Sequence, residues 1–305
     1  MKILVAICTY NRAHLLQQTL EQLTRLQAPQ VQDWRLVVID NNSRDATPEV
    51  VRRFTDRLPL DYRFEPRQGL SNARNAAVDH ATAWGADYIV WTDDDVVVDA
   101  DWLAAYVVAF RQYPLAAAFG GRIDPWFEVK APAWLTAAWT DVRTCYGARD
   151  CGPDVVALDP RRDLMPYGAN FAIRMDQQVL ERFDPNLGVV GNKRLAGEET
   201  TVIQNILARG FAGYWLPQVR LRHFVEEERM TLRFVWAYNA GAGHSRRMQS
   251  ADPSGLRLRL WYLRSGIFGL AKSVWFWPFD RARAVRAILQ AAQGLGYAGV
   301  VRSSF

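Results

Sequence analysis

Three consecutive aspartates, Asp93, Asp94 and Asp95, follow the apolar run Tyr88-Ile89-Val90-Trp91. Side chains two apart in extended chain point the same way, so Asp93 and Asp95 can converge on one ligand. Carboxylates this close call for a cation. Hard divalent ions such as Mg2+ or Mn2+ take oxygen ligands and keep positions open for substrate phosphates. An Asp triplet also suits a solvated acidic turn; its place directly after an apolar strand favours the metal. Two further polar clusters end apolar runs: Thr9-Tyr10-Asn11-Arg12 after residues 3–8, and Asp40-Asn41-Asn42-Ser43 after residues 36–39. The first of these equally fits a plain helix start with Asn11 as its cap.

Such clusters need a scaffold that delivers several strand ends to one place. Through the first 120 residues apolar runs alternate with helix-period segments, the pattern of βαβ units and a mostly parallel sheet. Strands are predicted at residues 3–8, 36–39, around 62–64 and 88–91. Helices are predicted along Leu15, Leu16, Leu20, Leu23 and Leu26, from Pro48, and from about Ser71 to Trp84. Open α/β sheets bind ligands at the carboxyl ends of their strands, where all three polar clusters fall. Residues 125–165 carry prolines and tryptophans without a clear period and read as a long functional loop region. A strand returns at 166–173, a helix follows Glu198-Glu199, and two short strands end near His223. Beyond Thr231 the chain reads helical, with breaks at Pro253-Ser254-Gly255 and near Pro278.

The 305 residues suffice for a large α/β domain with a helical appendage, without disulfide or structural metal. Cys8, Cys145 and Cys151, an odd set without CxxC spacing, fit a reducing compartment and disfavour a zinc site. The run at 3–8 is cut off by Asn11 and Arg12 with no cleavage site after it, so it reads as a first strand. The longest charge-free stretch, residues 287–301, is too short and too glycine-rich to span a bilayer.

The segments Cys8-Thr9-Tyr10-Asn11-Arg12, Val38-Ile39-Asp40-Asn41-Asn42-Ser43, residues 69–76 and the Asp triplet, in this order and spacing, resemble the family-2 glycosyltransferases, notably those of bacterial cell-surface polysaccharide synthesis. The resemblance implies a GT-A fold: an α/β, Rossmann-like, mostly parallel sheet flanked by helices, with a C-terminal helical appendage. It implies that Thr9 and Tyr10 line the nucleotide base, that Asp40 hydrogen-bonds it, usually as uracil, and that Arg74 lies near the diphosphate. Asp93 would touch the ribose and Asp95 the metal, with Arg12, Asn42 and Asp94 in the same donor-binding group. Gly168-Ala169-Asn170, Phe183-Asp184 with Leu187-Gly188, and Gly197-Glu198-Glu199-Thr200 are similar to the family's acceptor-side segments.

Inverting transfer needs a base for the acceptor hydroxyl, and a carboxylate within hydrogen-bond reach suffices. Glu199 is the first choice; the family more often has Glu-Asp here, which keeps Glu198 open as the alternative. Acids in a helix's first turn are also favoured by the macrodipole without any chemistry. His223, after Leu221-Arg222, stands where related enzymes carry an additional metal ligand, although a lone histidine is commonly structural. The implied activity is metal-dependent, inverting, hexosyltransferase-type transfer with Mn2+ or Mg2+. Its donor would be a nucleotide-sugar, in first place a UDP-sugar, and its acceptor a glycan or polyprenyl-diphosphate-linked glycan. A catalytically degenerate scaffold that binds nucleotide or glycan is the alternative, disfavoured by the intact acids.

Net charge is +5, yet residues 229–305 hold twelve Lys and Arg against two acids. That end is built to meet something anionic. Trp236, Trp261, Trp275, Phe276, Trp277 and Phe279 interleave there with Arg257, Arg259, Arg264, Lys272, Arg281, Arg283 and Arg286. The mixture suits helices lying in plane at an anionic membrane; a helical cap with its aromatics on the core and arginines outside fits equally. The expected organisation is a catalytic domain at 1–230, with a nucleotide-sugar half (1–124) and an acceptor-side half (125–230), then a basic helical region at 231–305. The expected location is cytoplasmic, peripheral on the cytoplasmic face of the inner membrane. Nucleic acid is not expected, because no RNA-binding motif accompanies the charge. Gly294-Leu295-Gly296-Tyr297-Ala298-Gly299 matches GxGxxG but lacks a strand-turn-helix setting. A nucleotidyltransferase would need a glycine-rich basic loop where the chain has Thr9–Arg12.

Overall fold

The computed structural model describes residues 1–27, 30–185, 187–190, 193–195, 197–248, 250 and 255–301. The chain forms two compact units: residues 1–124 with 149–224, and residues 125–148 with 225–305. Residues 125–148, grouped by sequence with the acceptor-side half, therefore pack with the C-terminal helices.

The first unit starts with β1 (Lys2–Thr9), α1 (Ala13–Leu23), β2 (Asp33–Asp40), α2 (Thr47–Arg52), β3 (Leu60–Phe64), α3 (Leu70–Trp84) and β4 (Tyr88–Asp93). β5 (Val96–Val98), α4 (Trp102–Gln112) and β6 (Ala118–Phe127) follow. Two short helices, α5 (Ala133–Ala137) and α6 (Trp139–Val142), belong to the second unit. The chain then returns through β7 (Val156–Ala157), β8 (Phe171–Arg174), α7 (Met175–Gln178), β9 (Gly188–Val190), β10 (Lys193–Leu195), α8 (Glu198–Ala208) and β11 (Gly213–Val225).

The main sheet runs β3-β2-β1-β4-β8-β6-β11-β5, with β7 on β11. Pairing is parallel from β3 to β4 and antiparallel between β4 and β8 and between β8 and β6. Helix crossovers join the parallel strands, as the βαβ pattern requires. Ile3 to Ile7 of β1 are fully buried, because a central parallel strand is covered on both faces. Ile3, Val5 and Ile7 pack with α1 and α4, while Leu4 and Ala6 pack with α3 and α8. Period-2 alternation thus feeds two layers from one strand. Gly85, at φ +72°, ends α3 in the left-handed region and releases the chain into β4.

Two expectations are corrected. The two short strands expected before His223 are one thirteen-residue strand, β11. Its ends pair with different partners, Tyr214 and Trp215 with β7 and Leu221 to His223 with β5, which divides its pattern in the sequence. The expected loop region at 125–165 contains α5, α6 and β7, elements of two to five residues that are too short to show a period.

The second unit is completed by α9 (Leu232–Met248), α10 (Leu256–Phe276) and α11 (Arg281–Ala298). The break near Pro278 stands between α10 and α11, where the Asp280 carboxylate accepts from the Arg283 amide at 2.9 Å and caps α11. The break expected at Pro253-Ser254 lies outside the described residues. The GxGxxG glycines are helix seams. A Cβ on Gly296 would fall on the carbonyl of Ala240, and one on Gly294 would sit 2.7 Å from the Tyr262 carbonyl oxygen and 3.0 Å from the Gly266 nitrogen. Among the described residues no helix is long and apolar enough to cross a membrane.

Candidate active site

Parallel pairing places the carboxyl ends of three strands side by side: Thr9 is in register with Asp40, and Cys8 with Asp93. β4 ends at Asp93, and Asp94 and Asp95 form a tight turn into β5. Thr19 of α1 clamps that turn; its hydroxyl donates to the Asp94 carbonyl at 2.8 Å and accepts from the Val96 amide at 3.0 Å. The turn sends neighbouring carboxylates to different tasks. Asp93 and Asp95 converge with His223, their ligand-capable atoms all within 4.8 Å of one another. His223 reaches this place from β11, in register with Val96, and its Nε2 lies 3.2 Å from Asp95 Oδ1.

Asp94 turns into the protein. It accepts from the Thr9 hydroxyl at 2.6 Å and from Arg12 Nη1 at 2.8 Å, and the same Arg12 nitrogen lies 3.0 Å from Asp95 Oδ2. Burial pushes the Asp94 carboxyl up to about 6 against the pull of Arg12. Burial and Asp95 push Asp93 up as well. Two carboxylates and one imidazole offer two hard oxygen donors and one nitrogen, a set that fits a divalent cation such as Mn2+ or Mg2+.

The residues expected to face a nucleotide base form a firm wall. Asp40 is fully buried and accepts from the Ser43 amide and the Tyr62 hydroxyl, both at 2.8 Å. Asn42 takes a left-handed backbone at φ +67°, and Tyr10 is 40% exposed, leaving its ring free to stack on a planar ligand. Asp45 accepts from the Ala13 amide at 2.9 Å and so caps α1 from another loop, fixing Arg12 just before it.

Arg74, expected near a diphosphate, is held against the acidic pair that opens α8. Its guanidinium is buried among Trp91, Phe171 and Phe183, 5.3 to 5.9 Å from their ring centroids. Nη1 donates to Glu198 Oε1 at 3.1 Å and lies 3.8 Å from Glu199 Oε2. Glu198 and Glu199 open α8, and burial, joined by the charge of Glu198, pushes Glu199 up to about 7 while Arg74 pulls it down. Asp93 also raises Glu199, so the acidic pair and the metal-type cluster share one electrostatic neighbourhood. Gly168 leaves the room this needs: a Cβ there would meet Arg74 Nη2 at 2.7 Å.

Several contributors escape sequence reasoning. Ser71 donates to the Leu187 carbonyl at 2.8 Å, and Asn75 exchanges two hydrogen bonds with the backbone of Phe183. α3 therefore holds the backbone of both Phe183 and Leu187. A signal exists for Thr19, a polar residue within the buried stripe Leu15, Leu16, Leu20 and Leu23.

Residues 4–149 match the family described as Glycosyl transferase family 2. Over that stretch the chain is similar to glycosyltransferase family 2. The chain is also 25% identical to the succinoglycan biosynthesis protein ExoM of Rhizobium meliloti, over 97% of this chain and 93% of ExoM. Among solved structures, a mannosyltransferase of Pyrobaculum calidifontis in complex with GDP-Man and Mn2+ matches with a TM-score of 0.56 and 20% identity, over 99% of this chain and 76% of that one. S. aureus TarS 1–349 in complex with UDP matches with a TM-score of 0.56 and 15% identity, over 98% and 92%. These likenesses establish the GT-A fold of the chain.

Proposed function

We propose that the chain is an inverting glycosyltransferase that moves a hexosyl group from a nucleotide-sugar, in first place a UDP-sugar, to a hydroxyl of a glycan or lipid-linked glycan in polysaccharide assembly. The observation that carries this reading is Glu199, a carboxylate pushed up to about 7 and held by Arg74 in the electrostatic neighbourhood of Asp93, Asp95 and His223. A base with that affinity accepts a proton from an acceptor hydroxyl near neutral pH. Similarity to a protein of succinoglycan biosynthesis supports the polysaccharide role, and neighbours that bind UDP or GDP-Man with Mn2+ support the donor class.

Asp93, Asp95 and His223 would hold the divalent cation, which supplies positive charge against the departing nucleoside diphosphate. Tyr10 offers its ring to the base, and Thr9, Arg12 and Asp94 keep the aspartate turn rigid. Glu199 draws the proton from the acceptor oxygen as that oxygen attacks the anomeric carbon on the face opposite the leaving phosphate. Arg74 orients Glu199 and limits its proton affinity. Attack from that face inverts the anomeric configuration.

Calorimetric titration of UDP with and without Mn2+, on the wild type and on Asp95→Asn, tests the donor site. Manganese-dependent binding lost in the variant upholds it; equal binding in both overturns it. Proton NMR of the product tests the base, because retained anomeric configuration is incompatible with a single displacement assisted by Glu199.

A further inference from the structure

α10 is turned inside out relative to an ordinary surface helix. Its buried positions are Gly266, Gly269 and Ser273, and a Cβ on either glycine would press on α11 at 2.8 to 2.9 Å. An amphipathic helix of a globular protein points its bulky apolar residues inward. α10 packs on α11 through small residues and the Tyr262 ring, stacked on Tyr297, and most of its other bulky residues face out. Trp261 is 61% exposed, Phe268 59%, Val274 76% and Trp275 72%, with Phe279 at 84% just beyond the helix. A scatter of single exposed apolar residues needs no explanation, whereas one continuous face does.

The charges on this face have one sign. Arg257, Arg264 and Lys272 are spaced among the aromatics, and residues 256–279 contain no Asp or Glu. Lys272 Nζ lies 4.4 Å from the Phe268 ring centroid, and the Arg281 guanidinium 4.3 Å from that of Trp277. A second copy of this face would set cations against cations. An anionic lipid surface pairs with every one of them while Trp and Phe enter the boundary between headgroups and acyl chains. With four cations along its length, α10 is not apolar enough to cross the bilayer.

We propose that the outer face of α10 is a membrane-docking surface that lies in the plane of an anionic bilayer. It stands on the second unit alone and is independent of the donor and acceptor chemistry. The test mixes the full-length protein with vesicles of phosphatidylcholine, with or without phosphatidylglycerol, and follows co-sedimentation and tryptophan emission. The protein sediments with the anionic vesicles only, its emission shifts to the blue, and binding weakens as salt is raised. Arg264→Gln and Lys272→Gln each weaken binding roughly fivefold. Val274→Ser with Trp275→Ser weakens it at least about tenfold, and all variants keep the wild-type unfolding temperature. Absence of sedimentation with either vesicle overturns the proposal. So does equal, salt-insensitive binding to neutral vesicles, or a stable dimer that Val274→Ser with Trp275→Ser dissociates.

Discussion

Glu199 sits between opposing influences: burial and Glu198 raise its proton affinity, and Arg74 lowers it. A general base works deprotonated, so the transfer rate should rise as pH climbs through about 7. Glu198→Gln removes a negative neighbour and moves that rising limb to lower pH; Arg74→Met removes the cation and moves it to higher pH. Opposite displacements of a pH–rate profile by the two variants are expected, and shifts in the same direction refute the assignment. Glu199→Gln should cut transfer by about 10^2 to 10^4 with manganese-dependent UDP binding intact, read by activity assay beside calorimetry. The Asp triplet is legible in the sequence because one strand end displays it whole. The pairing of Arg74 with Glu198 and Glu199 is not, since these lie more than a hundred positions away and only the fold brings them to it. Asp45 is hidden for a related reason: it caps α1 from a separate loop.

At the scale of elements, packing seams decide which substitutions matter. Gly296→Ala in α11 drives a methyl into the Ala240 carbonyl and should destabilise the fold by about 1–3 kcal/mol, measured by denaturant unfolding. Trp275→Ser on the outer face of α10 should stay within about 0.5 kcal/mol of wild type in the same measurement. A larger residue thus costs less to lose than a hydrogen atom costs to replace. The parallel strands and α1, α3 and α8 are legible because period-2 and period-3.6 patterns extend over enough residues. β11 is obscured by changing partners along its length, and α5 and α6 by brevity.

The whole molecule carries two surfaces with separable readouts, a strand-end site in the first unit and a cationic apolar face in the second. UDP with Mn2+ at about a hundred times its Kd should add about 2.7 kcal/mol to unfolding. Asp95→Asn should erase that gain, and Val274→Ser with Trp275→Ser should leave it untouched, by thermal unfolding with and without ligand. The Arg12 guanidinium, 2.8 Å from Asp94 and 3.0 Å from Asp95, bears on the life of the chain before it meets any substrate. Clustered carboxylates usually repel one another until an ion arrives, and some metalloproteins remain unfolded without it. Here an internal counter-charge stands ready in the polypeptide itself, so the carboxylates of Asp94 and Asp95 are offset before any ion binds. On the proposed metal-dependent reading, a cell starved of the divalent cation would accumulate folded, dormant protein that restored supply can rouse without new translation.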